Sequence, residues 1–348
     1  MAPAIHQKKT VNLALQGGGA HGAFTWGVLD RLLDEDRLIV EGISGTSAGA
    51  MNAAMLKTGF LEGGNEGARR QLDRFWGIIR DNARANVNPF SDWLKGFSPE
   101  AAQFADDLYR APGHHMREML QRTLSPREWN PLKFNPLRII LEELIDFDRV
   151  CKTCQPHLFV CASNVRSGKI RVFRDPDMSI DAILASACLP MLFEAVEIDG
   201  EHFWDGGYMG NPALFPLFEG CKSRDIVIVH VNPIERHEVP DTARAILNRI
   251  NEISFNSSLL RELRAINFVR ELVADGRLRP GEMKDILIHS IRDDDTMDDL
   301  DISTKMSPTP ELLDHLKQRG RATADTFLNQ HWDKLGKEAS VDLKAMFS

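Results

Sequence analysis

The sequence has few cysteines for its length. Five cysteines among 348 residues are too few and too scattered to hold a chain of this size together by disulfides. Cys151 and Cys154 form a C-x-x-C pair, but no second pair of cysteines or histidines follows at a spacing that would complete a four-ligand zinc site. We therefore expect no metal site, and we expect reduced structural cysteines, as in proteins of a reducing compartment.

Long apolar segments are also missing. No stretch approaches the roughly 18 apolar residues that a membrane-spanning helix needs. Lys8 and Lys9 near the N-terminus are not followed by the apolar segment of a signal peptide. The sequence thus predicts a cytoplasmic protein and leaves peripheral contact with a membrane open.

The chain lacks the basic excess of a nucleic-acid-binding protein. It carries 42 Lys and Arg against 50 Asp and Glu, which gives a net charge of −8. Hydrophobic residues make up 43% and charged residues 26%, which is enough apolar surface for a sizeable core and excludes global disorder, collagen and coiled coil. We expect a globular protein that does not bind nucleic acid; its oligomeric state is left open.

The first 60 residues alternate between strand and helix patterns. Residues 11–16 and 38–43 have the pattern of buried strands, and each is followed by a predicted helix, over 23–36 and 48–57. Short connections in this order favour an α/β fold with a mainly parallel sheet covered by helices. Further strands are predicted at 158–162, 170–173, 195–198, 226–231 and 286–291.

The rest of the chain suggests one domain with an insertion. Residues from about 61 to 135 are mostly polar, helical in pattern and interrupted by prolines, and we interpret them as a helical insertion over the sheet edge or the active site. We expect residues 1–10 to form an N-terminal tail, 11–335 the domain and 336–348 a C-terminal tail.

The first motif with chemical potential is Gly45-Thr46-Ser47-Ala48-Gly49. This G-x-S-x-G lies directly between a predicted strand and a predicted helix, the context of a nucleophile elbow. Gly45 and Gly49 leave room for a sharp turn that exposes the Ser47 hydroxyl, and the helix N-terminus favours an oxygen anion nearby. The alternative is a glycine-rich turn in which Ser47 only caps the helix.

The second motif is the glycine loop of Gly17, Gly18, Gly19, Ala20, His21 and Gly22. It fits the G-x-G-x-x-G of a dinucleotide site, and it also fits a loop whose free N–H groups stabilise an oxyanion. A dinucleotide site needs an acidic residue at the end of the second strand, but that strand continues into the Ser47 turn, and Glu41 lies before its end. The oxyanion loop is favoured because it unites both glycine motifs in one site.

The third motif is Asp205-Gly206-Gly207, which follows a strand-like segment. Alone, it is typical of a tight turn with Asp205 as its cap. In this order and at these spacings, however, the three motifs resemble the signatures of the patatin-like phospholipases. Other stretches, including 135–138, 185–190 and 255–264, are similar to bacterial members, and the resemblance covers about residues 10–330.

The resemblance implies a three-layer α/β/α fold and a serine lipid acyl hydrolase. Ser47 would be the nucleophile, Asp205 the proton acceptor in a Ser–Asp dyad, and the glycine loop the oxyanion hole, with phospholipids or related lipids as substrates and no cofactor. A carboxylate needs partial burial to act as base for a hydroxyl. This chain has His21 where the family usually has Arg or Lys, so activity would fall with rising pH if a protonated His21 supports the loop.

Three alternatives stay open. His230, His237 or His289 could complete a Ser–Asp–His triad in an esterase or acyltransferase, since all follow Asp205 in the chain. The protein could also be a non-catalytic lipid- or nucleotide-binding regulator on the same fold. The predicted helices over 241–275 place several apolar residues near one face, which suits a membrane surface, a lid over an acyl groove or packing on the core; these residues are Ile246, Ile250, Ile253, Leu260, Leu263 and Phe268.

Overall fold

A computed structural model describes residues 8–84, 125–130, 133, 135–152, 155–279, 281–300 and 302–347. Eight strands in this part of the chain form one sheet in the order β5-β6-β3-β2-β1-β7-β8, with β4 paired to β3. The strands are β1 Lys9–Leu15, β2 Leu38–Gly45, β3 His157–Asn164, β4 Ile170–Arg174, β5 Val196–Ile198, β6 Glu201–Asp205, β7 Asp225–Val229 and β8 Leu287–Ile291.

Most helices connect or follow these strands. Their bounds are α1 Gly22–Leu32, α2 Ala48–Arg84, α3 Pro126–Trp129, α4 Pro136–Leu144, α5 Phe147–Lys152, α6 Ile180–Ser186, α7 Phe215–Gly220, α8 Ala243–Ala274, α9 Asp294–Asp298, α10 Ile302–Met306, α11 Pro310–His331 and α12 Leu343–Phe347. Gly63 and Gly64 depart from helical geometry, so α2 is two helical segments joined at a bend. Short 3-10 turns cover Gly19–His21, Asp175–Asp177, Gly206–Tyr208 and Trp332–Lys334.

The centre of the sheet is parallel. β1 pairs in parallel with β2 and β7, β2 with β3, and β7 with β8, whereas β4, β5 and β6 pair antiparallel at one side. Parallel strands joined by helical crossovers need cover on both faces, which explains why all five residues of β7 are buried. The prediction of a mainly parallel sheet flanked by helices is confirmed.

Alternation along β1 separates the two covering layers. Leu13 and Leu15 join the cluster that contains α1, α2 and α11, whereas Ala14 between them joins the cluster of α7, α8 and α12. Successive side chains of a strand point to opposite faces, so these two clusters lie on opposite sides of the sheet. The result is three layers, helix on sheet on helix.

One helix pair on the first face packs unusually closely. A Cβ at Gly27 of α1 would overlap the carbonyl oxygen of Lys317 in α11, and a Cβ at Gly320 would overlap the carbonyl oxygen of Phe24. Glycines on both helices therefore let the two backbones meet, and α11 anchors the C-terminal part of the chain over the first helix.

The predicted insertion contains the end of α2 and the short α3 in its described parts. Residues 65–84 form the second segment of α2, whose Leu72, Phe75 and Trp76 belong to the core; residues 85–124 of the predicted insertion lie outside the described residues. Within the predicted C-terminal tail, Leu343 of α12 is buried against the second face. No helix among the described ranges has both the length and the hydropathy to span a membrane.

The apolar positions predicted to share a face over 241–275 lie mostly on the exposed side of α8, and Leu263 is the exception. Leu263 is buried in the second core cluster, but Ile250 and Phe268 are 58% and 60% exposed. A single helix spans this region; on it Ile246, Ile250, Ile253 and Phe268 recur at helical spacing on one side, whereas Leu263 lies on the side that packs on the core. α8 thus packs on the core through one side and exposes further apolar residues, Ile246, Leu247, Ile250, Ile253 and Phe268, on another.

Candidate active site

Ser47 sits in a strained turn between β2 and α2. Its φ of 54° lies in the left-handed region, which is costly for a residue with a side chain and is often found at functional sites. The turn is tight: a Cβ at Gly45 would lie 2.6 Å from the carbonyl oxygen of Gly49, and a Cβ at Gly49 would overlap that of Leu15. Ser47 is half-buried, and its N–H donates to Ser186 Oγ at 2.9 Å.

The glycine loop lies directly against this turn. It leaves β1, whose carboxyl end is next to that of β2 because the two strands are parallel. A Cβ at Gly17 would come within 2.6 Å of Ser47 Cβ, so only glycine permits the approach. Ala20 and His21 are buried behind the loop, while Gly19 is exposed.

The N–H groups of the loop fall into two sets. Gly17 N–H donates to Asn211 Oδ1 at 2.6 Å, His21 N–H donates to Gly18 O at 3.2 Å, and Gly22 N–H is bonded within the 3-10 turn. The N–H groups of Gly18, Gly19 and Ala20 have no acceptor among the residues that the structure describes. These three are therefore the donors available to an external oxygen.

Asp205 ends β6 and is only 1% exposed. Its Oδ1 accepts a hydrogen bond of 2.7 Å from Gly207 N–H, while Oδ2 has no hydrogen-bond partner in the described ranges. Burial raises the pKa of Asp205 to about 7, and the Gly207 N–H and the nearby Ser47 hydroxyl lower it in part. A carboxylate with one uncommitted oxygen in this environment is a stronger base than a solvated one.

Strand register brings Asp205 and Ser47 to the same level of the sheet. In β3, Val160 pairs with Gly45 of β2, and two residues further Ala162 pairs with Asp205 of β6. β2 and β6 are thus two strand spacings apart, about 10 Å, and the C-terminal ends of both strands lie near the C-terminal end of β3. The Gly206 position touches Thr46: a Cβ there would lie 3.0 Å from Thr46 Cγ2.

The last residue of α6 and the segment that follows it bond to the two turns. Ser186 Oγ accepts the Ser47 N–H, and the carbonyl oxygen of Cys188 accepts Asp205 N–H at 2.7 Å. Gly207 packs beside α8, since a Cβ there would lie 2.9 Å from the Phe255 ring. The two turns are therefore held from two further elements.

His21 does not face solvent. It is 2% exposed, and its Nε2 lies 2.8 Å from Thr304 Oγ1 of α10. The side chain thus connects the glycine loop to a short helix more than 280 residues later. The dependence of activity on His21 protonation remains a prediction.

None of the three candidate triad histidines hydrogen bonds to Ser47 or Asp205. His289 Nε2 lies 2.9 Å from Asp225 Oδ1. The side chain of His237 is exposed and lies beside Asp298. His230 is buried, its two ring nitrogens have no partner among the described residues, and burial lowers its pKa to about 3.

Sequence motifs did not identify a set of buried amides around the loop. Gln16 Oε1 accepts from the N–H groups of Val231 and Asn232 at 3.0 Å, and Gln16 Nε2 donates to Asn256 Oδ1 at 3.0 Å. Asn211 and Asn232 both bond to Gly17. The one signal for Asn232 is its position just after β7, which is the parallel neighbour of β1.

The described residues contain no group of three or more His, Cys, Asp or Glu side chains that could hold a metal ion. Cys161, Cys188 and Cys221 are buried and free. Cys154 of the predicted C-x-x-C pair lies outside the described residues.

Comparisons with known proteins agree with the motifs. The family model of the patatin-like phospholipases matches residues 13–218, more than half of the chain. One of the solved structures that match is VipD from Legionella pneumophila, with 16% sequence identity and a TM-score of 0.42 over 92% of this chain and 67% of that chain. No curated protein matches the sequence significantly. The family model spans the glycine loop, the Ser47 turn and the Asp205 turn, and the chain belongs to the patatin-like phospholipases, a family of lipid acyl hydrolases that act on ester bonds.

Proposed function

We propose that the protein hydrolyses fatty-acyl esters of phospholipids or related lipids, with Ser47 as nucleophile and Asp205 as its base. The observation that carries the proposal is the unpartnered Oδ2 of a buried Asp205, with a raised pKa, next to a serine in left-handed backbone geometry. Both residues lie near a glycine loop with unoccupied backbone N–H groups, among them those of Gly18 and Gly19, which supports acyl transfer.

The proposed first half-reaction forms an acyl-enzyme. Ser47 Oγ attacks the ester carbonyl carbon while its proton passes to Asp205. The carbonyl oxygen becomes an oxyanion, which accepts hydrogen bonds from Gly18 and Gly19 N–H. The bond to the leaving alcohol then breaks, and Asp205 returns the proton to that alcohol's oxygen.

The second half-reaction consumes water. Asp205 takes a proton from a water molecule, and the oxygen of that water attacks the acyl carbon on Ser47. When the new tetrahedral species collapses, Ser47 Oγ recovers the proton from Asp205 and the fatty acid leaves. No step in this scheme needs a metal ion or a cofactor.

Exposed apolar side chains near the site support a lipid substrate. Tyr208 and Met209 directly follow the Asp205 turn and are 40% and 38% exposed. Tyr208 packs edge to face on Phe255, which lies on the buried side of α8; the outward side of the same helix exposes Ile250 and Ile253. We propose that this side of the molecule contacts the membrane peripherally, and that the protein is cytoplasmic.

The decisive experiment compares wild type, Ser47→Ala and Asp205→Asn on p-nitrophenyl esters of graded chain length and on phospholipid vesicles. Ser257→Ala is the matched control, because this half-buried serine of α8 bonds, among the described residues, only to the Ser254 carbonyl. We expect turnover by wild type and the control, and a loss of at least about 10³-fold in both site variants with unchanged circular dichroism.

A fluorophosphonate probe separates the alternatives. It should label wild type on Ser47 and leave Ser47→Ala unlabelled, whereas a non-catalytic lipid- or nucleotide-binding regulator would not be labelled at all. A folded His230→Ala variant that lost activity would contradict the dyad and favour the triad.

A further inference from the structure

The orientation of Gly18 N–H is set by the carbonyl group of Gly17. Both belong to one planar trans peptide, in which the C=O and N–H bonds point in opposite directions. Whatever holds the Gly17 oxygen on one side therefore aims the Gly18 hydrogen on the other. This N–H is one of the three unoccupied donors of the glycine loop.

Two buried amides hold the Gly17 oxygen. Asn232 Nδ2 donates to it at 2.7 Å, and Asn211 Nδ2 lies 3.4 Å away. Asn232 is 1% exposed and Asn211 is 0% exposed, so water does not compete for these bonds. Asn211 also accepts the Gly17 N–H, which fixes the preceding peptide.

The far side of Asn232 is bonded to a cation. Lys305 Nζ of α10 donates to Asn232 Oδ1 at 2.8 Å. The same helix contacts the loop elsewhere, because a Cβ at Gly19 would overlap the Lys305 carbonyl oxygen and Thr304 bonds to His21. The distances therefore describe an unbroken chain: Lys305 ammonium, Asn232 amide, Gly17–Gly18 peptide.

Hydrogen bonds in such a chain polarise one another. The positive charge of Lys305 beside the Asn232 oxygen draws electron density from the NH₂ group of Asn232. That NH₂ group then donates a stronger hydrogen bond to Gly17 O, and the Gly18 N–H becomes a stronger donor as a result. The effect reaches the oxyanion without the ammonium approaching it.

We propose that Lys305 is a positioning residue that acts through Asn232 to orient and polarise Gly18 N–H toward the oxyanion. The proposal rests on the proposed function, since it assumes that an acyl oxygen binds at Gly18. Lys305 itself touches neither substrate nor Ser47 in this scheme.

The kinetic test uses Lys305→Met, with Lys317→Met as the matched control. Lys317 lies on the neighbouring helix α11, is also half-buried, and donates a hydrogen bond to Asp73. Losing a whole oxyanion donor costs about 10²–10³-fold, and cooperativity contributes about 10–30% of a bond, so we expect Lys305→Met to lower kcat about 2- to 8-fold with KM unchanged. Lys305→Arg should restore most of the loss, and a trifluoromethyl ketone inhibitor should weaken in parallel with kcat/KM.

A second measurement does not depend on turnover. Labelling glycine with ¹³C at the carbonyl and with ¹⁵N selects the amides of glycines that follow glycine, which in this sequence are Gly18, Gly19, Gly64 and Gly207. We expect Lys305→Met to move the Gly18 amide proton upfield, with Gly64 as internal reference, and Lys317→Met to leave it in place. If Lys305→Met does not fold, Lys305→Gln takes its place, since it keeps a donor and removes the charge.

The outcomes separate the two proposals. A Gly18 resonance that is unmoved, or a kcat for Lys305→Met equal to that of Lys317→Met, overturns the role of Lys305. If wild type neither hydrolyses esters nor reacts with the fluorophosphonate, the proposed function fails, while a shifted Gly18 amide still supports the hydrogen-bonded chain.

Discussion

At the scale of single residues, burial determines what Asp205 can do. Its carboxyl group is enclosed, receives a single hydrogen bond from Gly207 and keeps the other oxygen open toward the serine turn. Because the charged form loses hydration without full compensation, the proton is held more tightly than in an exposed aspartate. A base with such a pKa can accept a proton from a hydroxyl near neutral pH.

We expect kcat/KM to rise with pH through an apparent pKa of about 7, because the base must be deprotonated in the free enzyme. A pH–rate profile on a soluble p-nitrophenyl ester, whose hydrolysis is corrected for the uncatalysed rate, measures it. A profile that is flat between pH 5 and 8 would exclude Asp205 as the titrating base.

The same pKa predicts a gain of stability in Asp205→Asn. The folded state holds this proton up to about pH 7, whereas the unfolded chain releases it near the ordinary value of 3.8, so stability declines as pH rises between these values. We expect the variant to raise Tm by several degrees at pH 8 and less at pH 5. Asp36→Asn, at an exposed position, is the control and should leave Tm unchanged at both pH values.

The sequence identifies the reacting residues better than their supports. Ser47 and Asp205 stand in local motifs because the glycines beside them are required by close backbone contacts. Asn232 and Lys305 carry no such motif, since Asn232 reaches Gly17 from the segment after β7 and Lys305 reaches Asn232 from α10. Their roles can be recognised only from the structure, in which β7 lies beside β1.

At the scale of elements, glycines decide how closely layers approach. Periodicity predicts α1, α2, β1 and β2 well, because buried residues recur at regular spacing. It does not decide which side of α8 packs on the core, because apolar residues occur on both the exposed and the buried side along its 32 positions. The contact between α1 and α11 was equally invisible, since it depends on two glycines 293 residues apart, Gly27 and Gly320.

We expect Gly27→Ala to destabilise the protein by about 1–3 kcal/mol or more, because the new methyl group must displace the backbone of α11. Gly77→Ala is the matched control: this glycine of α2 has open space where a Cβ would stand. The control should gain about 0.5–1 kcal/mol from the better helix propensity of alanine. Urea unfolding measures both, and an undiminished midpoint in Gly27→Ala would contradict the close packing.

At the scale of the whole molecule, buried titratable groups govern stability across pH. Burial raises the pKa values of Asp205 and Glu262 to about 7 and lowers that of His230 to about 3. The two carboxyl groups favour the folded state at lower pH. His230 acts in the opposite direction, because below pH 6.5 the unfolded chain gains a proton that the folded state does not take up.

We therefore expect His230→Leu to stabilise the protein, and to do so more at pH 5 than at pH 8. The replacement removes two unpartnered ring nitrogens and the cost of keeping the ring neutral in acid. Thermal unfolding at both pH values measures the effect, with the exposed His237→Leu as control. Equal Tm values for His230→Leu and wild type at pH 5 would contradict the burial of an uncharged imidazole. The His230→Leu variant should keep its esterase activity, because His230 has no role in the proposed dyad.

The pairing of β1 with β7 bears on how small an active fragment can be. The region that matches the family ends at residue 218, yet β7, Asn232 and Lys305 all come later in the chain. A protein cut after residue 218 would keep Ser47 and Asp205 but leave one edge of β1 unpaired and the Gly17 carbonyl without Asn232. Limited proteolysis or truncation between residues 218 and 305 would thus leave a fragment that contains both reacting residues and is inactive.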